Sequence, residues 1–245
     1  MKVDLRRYAN DPVRFADTFV KKNEKGKPWS LSTYQRRVLV LAFAASLCLL
    51  VWSEVKKSGK TFIAAFLGLW WAFTNPRTEV IVVANDLEQS MSRVFATIVA
   101  LCQFNPALRE SVTIRATSIL VSNGTTITAI ASEYRGAAGS RHSLVIFDEL
   151  WGFTSENGQR LYEECTPPPT EPNAWALVVT YAGFMGESKL LEAIYQRGLA
   201  GERIDNDLEV YRADELVMLW SHTPRQPWQT ETYYAEQRRS LAGGP

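Results

Sequence analysis

A basic, glycine-containing segment near position 58 has the composition of a phosphate-binding loop. It follows an apolar run of strand character and precedes an apolar run with helical periodicity. In such loops the backbone N–H groups wrap phosphates, a lysine neutralises their charge, and a hydroxyl side chain binds Mg²⁺. Lys60 and Thr61 have the types and order for the last two roles. The residues predicted to bind the phosphates of a nucleotide are Lys56, Lys57, Ser58, Gly59, Lys60 and Thr61.

This loop departs from the usual glycine-first pattern, because Glu54 stands where the first glycine is expected. A simpler interpretation is that the lysines of the segment form a solvated basic turn that caps a helix. The loop alone leaves both interpretations open. A second motif is needed to decide between them.

Asp148 and Glu149 are adjacent carboxylates that follow an apolar run at 144–147. In ATPases with this arrangement, the aspartate holds Mg²⁺ and the glutamate orients the attacking water. Acidic residues also end strands without a catalytic role, but these two follow the phosphate-loop motif in the order that ATPases use. Together the motifs indicate Mg²⁺-dependent ATP hydrolysis, with Thr61 and Asp148 as metal ligands and Glu149 as a catalytic residue. The adjacent glutamate favours motor ATPases of the additional-strand class over nucleotide kinases and GTPases.

The elements that must position these residues alternate between apolar strands and amphipathic helices, which predicts an α/β fold with a mostly parallel central sheet flanked by helices. Helices are expected at about 32–45, 60–74, 87–102, 156–164, 188–199 and from 230. Strands are expected at 47–52, 79–84, 112–115, 119–121 and 125–131, followed by 144–147 and 176–180, which complete the sheet. A turn at Asn123 and Gly124 joins two of the strands as a hairpin.

The pattern changes after position 183, where a helix is followed by short strands near 208–211 and 216–220. We predict a P-loop ATPase core at 1–185 and a small lid or linker subdomain at 186–245. No internal repeat divides the chain further.

Composition excludes several classes of protein. Hydrophobic residues make up 46% and charged residues 22%, which is ordinary for a globular protein. The three cysteines and two histidines lack the spacing of a disulfide framework or zinc site. The most apolar run, 38–52, is shorter than the roughly 20 residues of a membrane-spanning helix. The N-terminus does not resemble a signal peptide, so a cytoplasmic location is expected. A net charge of +1 predicts local, salt-sensitive DNA contacts at most.

The two motifs together resemble those of the large subunit of tailed-phage terminases. One branch of that family has a phosphate loop like Arg-Lys-Asn-Gly-Lys-Ser/Thr and lacks the first glycine, as the segment 56–61 does. The resemblance implies the N-terminal ATPase domain of a motor that packages double-stranded DNA. It also implies ATP and Mg²⁺ as cofactors, assembly into a ring, and a portal protein and small terminase subunit as partners.

The resemblance assigns roles upstream of the loop and within it. Trp29-x-Leu31-x-x-Tyr34-Gln35 is similar to the family's adenine-recognising segment, in which the amide of Gln35 would pair with the base edge. A plain interpretation makes Gln35 a surface helix residue. Lys56 occupies the position of an arginine that senses the γ-phosphate in relatives, although lysine lacks the bidentate fork of arginine.

Two further catalytic roles come from the resemblance. Arg135 precedes a glycine as does the family's arginine that reaches a neighbouring subunit's ATP, and Arg141 is a rival in the same loop. Either arginine also fits a solvated loop position. Thr180 begins a Thr-Tyr-Ala-Gly segment similar to the family's coupling motif, in which a hydroxyl passes the hydrolysis state to the lid. Thr180 also fits an ordinary strand end. The predicted catalytic residues are therefore Glu149, Lys60, Arg135 and Thr180.

Terminase large subunits also carry a nuclease domain with clustered aspartates, and no such cluster follows Asp214. We therefore expect this sequence to lack nuclease activity. Two other functions stay open at this point: a helicase-like or other DNA-stimulated ATPase, and a nucleotide-gated binding module without efficient hydrolysis.

Overall fold

The computed structural model describes residues 5–84, 91–131, 142–167, 171, 173–183 and 186–242. The α-helices in chain order are α1 (Pro12–Phe19), α2 (Thr33–Ala42), α3 (Lys60–Thr74), α4 (Ala96–Phe104), α5 (Pro106–Arg109), α6 (Glu156–Cys165), α7 (Lys189–Leu199) and α8 (Glu231–Ala242). The strands are β1 (Leu49–Glu54), β2 (Glu79–Ala84), β3 (Val112–Ile114), β4 (Ser118–Val121), β5 (Thr126–Ala131), β6 (His142–Asp148), β7 (Trp175–Thr180), β8 (Glu202–Asp205), β9 (Val210–Ala213) and β10 (Leu216–Ser221). Short 3₁₀ turns at Leu5–Tyr8 and Leu150–Gly152 and a π-helical turn at Met91–Phe95 complete the regular structure of these ranges.

Within the described ranges, one sheet of ten strands runs in the order β3-β4-β5-β2-β6-β7-β1-β10-β9-β8. The six strands from β5 to β10 in this order are parallel to one another. An antiparallel pair extends the sheet at each edge. The mostly parallel α/β fold predicted from the sequence is therefore confirmed.

The central strands are buried along their whole length, as expected for parallel strands covered on both faces. Helices α1 to α4 cover one face of the sheet and contribute to one apolar core, while α6 and α7 pack on the other face and form a second core. All residues of α3 except Thr61 and Phe62 are buried. Gly68 lets α3 approach β6, since a Cβ there would lie 2.9 Å from the side chain of Ile146. The phosphate-loop helix is thus fixed against the strand that carries the carboxylates.

Several predicted elements match the structure, including the helix at 60–74, the strand at 79–84 and the hairpin turn, where Gly124 adopts φ 90°. The expectation that the strand at 176–180 completes the sheet is wrong. Strands β10, β9 and β8 continue the same sheet beyond β1, because β10 pairs with β1 along all six residues of that strand. The division into a core and a lid at position 185 stays a prediction.

Helix α1 was not predicted, although its start carries a clear signal. The side chain of Asp11 accepts a hydrogen bond from the backbone N–H of Arg14, and Pro12 occupies the first helical turn. Over the ranges that the structure describes, every helix is too short or too polar to cross a membrane.

Candidate active site

The predicted phosphate loop leaves the carboxyl end of β1 and closes on α3. Lys57 and Gly59 adopt left-handed backbone conformations, with φ 66° and 94°. Gly59 is the N-cap of α3, so the free N–H groups of the first helical turn follow the loop directly. The start of a helix after a turn of this kind is a favourable place for a phosphate group.

Lys60 begins α3 and is 5% exposed. Its Nζ lies 3.9 Å from Oε1 of Glu149 and 5.3 Å from the ring centre of Tyr181. Burial lowers the pKa of Lys60, and the neighbouring carboxylates of Glu149 and Asp148 oppose that shift. The ammonium group is therefore held between a carboxylate and an aromatic face.

Asp148 ends β6 and is buried, and both of its carboxylate oxygens lack a hydrogen-bond partner among the described residues. Burial, followed by the charge of Glu149, raises the pKa of Asp148 to about 7. A buried carboxylate without partners is costly unless a cation neutralises it. Thr61 is half-buried in the first turn of α3 and lines the same cleft as Glu149. These oxygen donors fit Mg²⁺, which prefers carboxylate, hydroxyl and water ligands.

Glu149 turns sharply away from β6 with φ 56°. Its backbone N–H donates to the carbonyl oxygen of Val179 at 2.7 Å, which ties the turn to β7. Its Oε2 accepts a hydrogen bond of 2.9 Å from Nε1 of Trp151. The left-handed turn thus directs the Glu149 carboxylate toward Lys60, and Trp151 holds it there.

Thr180 ends β7 and is fully buried. Its hydroxyl oxygen accepts a hydrogen bond of 3.3 Å from the backbone N–H of Trp151 and donates to the carbonyl oxygen of Tyr181 at 2.9 Å. The Tyr181 ring packs 4.9 Å from the Trp151 ring and lies 4.8 Å below Nζ of Lys56. Thr180 is therefore linked to the Glu149 turn through Trp151.

These residues surround an open cleft of about 740 Å³ at the carboxyl ends of the parallel strands. The lining residues are Glu24, Lys25, Lys56, Lys57, Ser58, Gly59, Lys60, Thr61, Arg93, Glu149, Trp151, Gly152, Tyr181 and Trp228. A cavity of about 870 Å³ lies at the opposite end of β1 and β7, beside Cys48 and Trp175. Ligands of α/β sheets bind at the carboxyl ends of the strands, so the smaller cleft is the candidate site.

The structure brings the predicted loop residues, Glu149 and Asp148 together, but places Gln35 elsewhere. Gln35 is 6% exposed and does not line the cleft. Its Oε1 accepts a hydrogen bond of 3.0 Å from the backbone N–H of Ser32, whose hydroxyl accepts one from the Gln35 N–H. This reciprocal capping box starts α2. The surface interpretation of Gln35 is wrong, and its role toward adenine stays a prediction.

Arg135 and Arg141, the two candidates for an arginine finger, lie outside the described residues. Glu54, which replaces the first glycine of the loop, is buried and hydrogen-bonded at the end of β1. Glu54 is 3% exposed, accepts a hydrogen bond of 2.6 Å from Nε1 of Trp52, and has its pKa raised by burial. It lies at the end of β1, just before the loop turns.

Several residues that line the cleft carry no motif in the sequence, among them Arg93, Trp151 and Trp228. Arg93 lies in the π-helical turn before α4, and its positive charge lowers the pKa of Asp148 against the stronger effects of burial and Glu149. Trp151 follows the carboxylates by two residues, which was a usable signal. Trp228 lies far along the chain, and no local pattern connects it to the loop.

A Gly-Lys-Thr loop at the carboxyl end of one parallel strand and a carboxylate pair at the end of another define a P-loop NTPase domain. Residues 56–159 match the family model described as terminase large subunit, T4likevirus-type, N-terminal. Over this segment, which is less than half of the sequence, the chain is similar to the N-terminal part of terminase large subunits. No curated protein sequence matches it.

Three solved structures share the fold. The bacteriophage HK97 large terminase is 18% identical with a TM-score of 0.76, covering 97% of this chain and 52% of that one. The Thermus phage P74-26 large terminase ATPase domain is 14% identical with a TM-score of 0.50, covering 86% and 90%. The N-terminal domain of the bacteriophage phi29 DNA packaging ATPase is 8% identical with a TM-score of 0.52, covering 80% and 97%. The chain thus spans about half the length of the HK97 protein.

Proposed function

We propose that this chain is the ATP-hydrolysing motor domain of a phage terminase large subunit, which drives double-stranded DNA into a procapsid. The observation that carries the proposal is the pairing of Lys60 and Glu149 across the cleft, with Asp148 buried beside them. Near the ends of β1 and β6 there are thus three charged groups. They are the Lys60 ammonium for phosphate, the Glu149 carboxylate for the attacking water and the Asp148 carboxylate for Mg²⁺. A solvated basic turn would have no reason to bury its lysine against a carboxylate.

Each group has a defined role in hydrolysis. The loop N–H groups and Lys60 bind the β- and γ-phosphates, while Asp148 and Thr61 hold Mg²⁺, which neutralises phosphate charge when bound. Glu149 orients a water and accepts its proton as the water oxygen bonds to the γ-phosphorus. The bond to the β–γ bridging oxygen breaks, and ADP and phosphate are the products. When ATP binds, Lys60 exchanges its contact with Glu149 for the phosphates and leaves that carboxylate to the water.

The sheet order supports the additional-strand, catalytic-glutamate class. Strand β7 lies between β1, which precedes the phosphate loop, and β6, which ends in the carboxylates. Its last residue, Thr180, is linked through Trp151 to the Glu149 turn. We propose that loss of the γ-phosphate is passed along this connection to the segment after Thr180.

The remaining parts of the proposal concern assembly. The motor would work as a ring on the procapsid, in the host cytoplasm, with a portal protein and a small terminase subunit as partners. Arg135 would then act as a finger on a neighbouring subunit's ATP, with Arg141 and Lys56 as rivals. Turnover by the isolated chain should therefore be slow and should rise with protein concentration.

The test is Mg²⁺-dependent phosphate release by the wild type, Lys60→Ala and Glu149→Gln, with Lys189→Ala and Glu192→Gln on the exposed face of α7 as matched controls. We expect Glu149→Gln to bind ATP and to lose about 10²-fold or more of the rate, since a general base contributes that much. Lys60→Ala should lose binding as well.

Unchanged phosphate release by both variants would contradict the proposed active site. ATP binding without phosphate release, even with DNA and at high concentration, would favour a nucleotide-gated module. Strand separation of duplex DNA by the protein would favour a helicase.

A further inference from the structure

The segment between β10 and α8 lies directly against the phosphate loop. Three of its side chains donate hydrogen bonds to three consecutive loop carbonyls. The donors and acceptors are Nε2 of Gln229 to Lys56 O at 2.9 Å, Nε1 of Trp228 to Lys57 O at 2.8 Å, and Nε2 of Gln226 to Ser58 O at 2.7 Å. We call Gln226, Trp228 and Gln229 the loop clamp. The clamp and the loop are far apart in sequence, so their contact exists only in the folded chain.

The clamp fixes the direction of the loop's N–H groups. In a planar trans peptide, the C=O of one residue and the N–H of the next point in opposite directions. Holding the carbonyls of Lys56, Lys57 and Ser58 toward the clamp therefore turns the N–H groups of Lys57, Ser58 and Gly59 away from it. Those N–H groups are the ones that a phosphate-binding loop uses. The clamp thus sets the donor geometry without contacting phosphate through these hydrogen bonds.

The loop needs such support. Lys57 has φ 66°, a conformation that residues other than glycine seldom adopt and that surrounding contacts must maintain. The Lys57 side chain is exposed, and the structure holds this residue through its carbonyl bond to Trp228. Trp228 itself is 56% exposed, which is unusual for a large aromatic side chain in this protein. Its hydrogen bond, rather than core packing, accounts for its position.

The clamp is itself held firmly in place. Oε1 of Gln229 accepts hydrogen bonds of 2.9 Å from the backbone N–H groups of Arg225 and Gln226, which closes the segment into a turn. Nε2 of Gln226 also donates to the Tyr34 hydroxyl at 3.1 Å. The Arg225 guanidinium donates to the Ser221 hydroxyl at the end of β10. The position of the clamp is therefore set by β10 and by the start of α2.

We propose that Gln226, Trp228 and Gln229 are positioning residues that orient the loop N–H groups for phosphate, and that they couple the chain after β10 to nucleotide binding. This inference rests on the proposed function of the loop. Displacement of the clamp would turn the loop peptides and weaken phosphate binding. By thermodynamic reciprocity, phosphate binding would stabilise the hydrogen bonds between the clamp and the loop.

The test measures binding of ATP and of inorganic tripolyphosphate by calorimetry in the presence of Mg²⁺. Trp228→Phe keeps an aromatic ring and Gln226→Met keeps side-chain length, but each removes one hydrogen bond to the loop; Gln226→Met also removes the bond to the Tyr34 hydroxyl. Gln103→Ala, at an exposed position of α4, is the control. We expect each clamp variant to raise the Kd of both ligands about 3- to 10-fold, the usual worth of one hydrogen bond. The thermal midpoints should match that of the control.

An equal effect on ATP and tripolyphosphate is the signature of loop positioning. Weaker binding of ATP alone would overturn the proposal, because it would mean that Trp228 or Gln226 contacts the base. Unchanged Kd values in a folded Trp228→Phe, Gln226→Met double variant would overturn the clamp while leaving the ATPase proposal intact. If the wild type bound neither ATP nor tripolyphosphate, both the clamp proposal and the ATPase proposal would be overturned.

A measurement on the wild-type chain needs no variant. Amide hydrogen exchange should slow in 225–229 when tripolyphosphate binds, because the loop and the clamp stabilise each other. Exchange in β8, at the far edge of the sheet, should not change. Equal exchange in 225–229 with and without ligand would overturn the coupling.

Discussion

The indole nitrogen of Trp151 donates a hydrogen bond of 2.9 Å to Oε2 of Glu149, two residues before it. The other carboxylate oxygen of Glu149 faces Lys60 at 3.9 Å. The carboxylate is thus held from one side and faces a cation on the other. A general base needs such fixed placement, because proton transfer depends on geometry before it depends on pKa.

Trp151→Phe should lower kcat about tenfold and leave the KM for ATP nearly unchanged, since a base that contributes about 10²- to 10⁴-fold would lose part of its placement. Phosphate release by the two proteins checks this. The same substitution in a Glu149→Gln background should have no further effect, because the group that Trp151 positions is already neutral. Additive losses would mean that Trp151 acts elsewhere.

Asp148→Asn should stabilise the protein in the absence of nucleotide and Mg²⁺. The substitution removes a buried carboxylate whose oxygens have no hydrogen-bond partner in the described part of the chain. We expect the free energy of unfolding to rise by about 1 to 3 kcal/mol at pH 8. Urea denaturation measures the change. Adding ATP and Mg²⁺ should raise the urea midpoint of the wild type and not that of the variant. A rise for the variant and none for the wild type would contradict the proposed role of Asp148 as a metal ligand.

His142 should make stability depend on pH. Burial lowers the pKa of His142, against the opposing effects of the Cys165 carbonyl, 2.7 Å from Nε2, and of Glu79 and Glu171. A histidine with a lowered folded pKa is neutral in the folded state while the unfolded chain takes up a proton. The stability associated with neutral His142 is therefore complete above about pH 6.5 and is lost as the pH falls toward the folded pKa.

The measurement is the free energy of unfolding of wild type and His142→Gln between pH 5 and 7.5. The difference between the two proteins should shift in favour of the variant as the pH falls. His222 is the other histidine and is exposed, so His222→Gln should follow the wild-type curve. A wild-type and His142→Gln difference that stays constant with pH would refute the prediction.

Asn105 ties the N-terminal segment to α4. Its Oδ1 accepts from the backbone N–H groups of Lys21 and Lys22, and its Nδ2 donates to the carbonyls of Lys22 and Leu101. Asn105→Ala should lower the free energy of unfolding by about 2 to 4 kcal/mol, because four backbone groups, two N–H groups and two carbonyls, each lose a hydrogen bond to the Asn105 side chain. Gln103→Ala, at an exposed position in the last turn of α4, should change it little. Chemical denaturation that finds equal stability for the two variants would contradict this view of Asn105.

Which motif residues lie together at the candidate site could be predicted further from the sequence than the residues around them could. Lys60, Asp148 and Glu149 lie in short motifs whose spacing follows from one loop and one strand end, so local patterns were enough. Trp228 contacts Lys57 across a separation that only the fold closes. Gln35 fits both a base-recognising amide and a capping box, and residue type alone does not distinguish them.

The extent of the sheet was underestimated for a related reason. The alternation in 208–220 indicates strands, but periodicity does not tell which neighbour a strand pairs with. Pairing of β10 with β1 is set by tertiary packing of Leu216, Met218 and Trp220 against the second core. Helix α1 does have a local start signal in the sequence, since Asp11 is a favourable N-cap residue and Pro12 a favourable residue for the first helical turn.

Strand β1 is bonded on both sides in parallel register, to β7 through Leu49–Ser53 and to β10 through Leu49–Glu54. A strand buried in this way cannot shift its register by one residue without moving every side chain to the wrong face. The centre of the sheet is therefore rigid. In the motor proposed above, movement driven by ATP hydrolysis would therefore occur at the carboxyl ends of the strands, where the loops after β1, β7 and β10 meet. The stroke of such a motor would be short, and its length would be set by how far those loops bend.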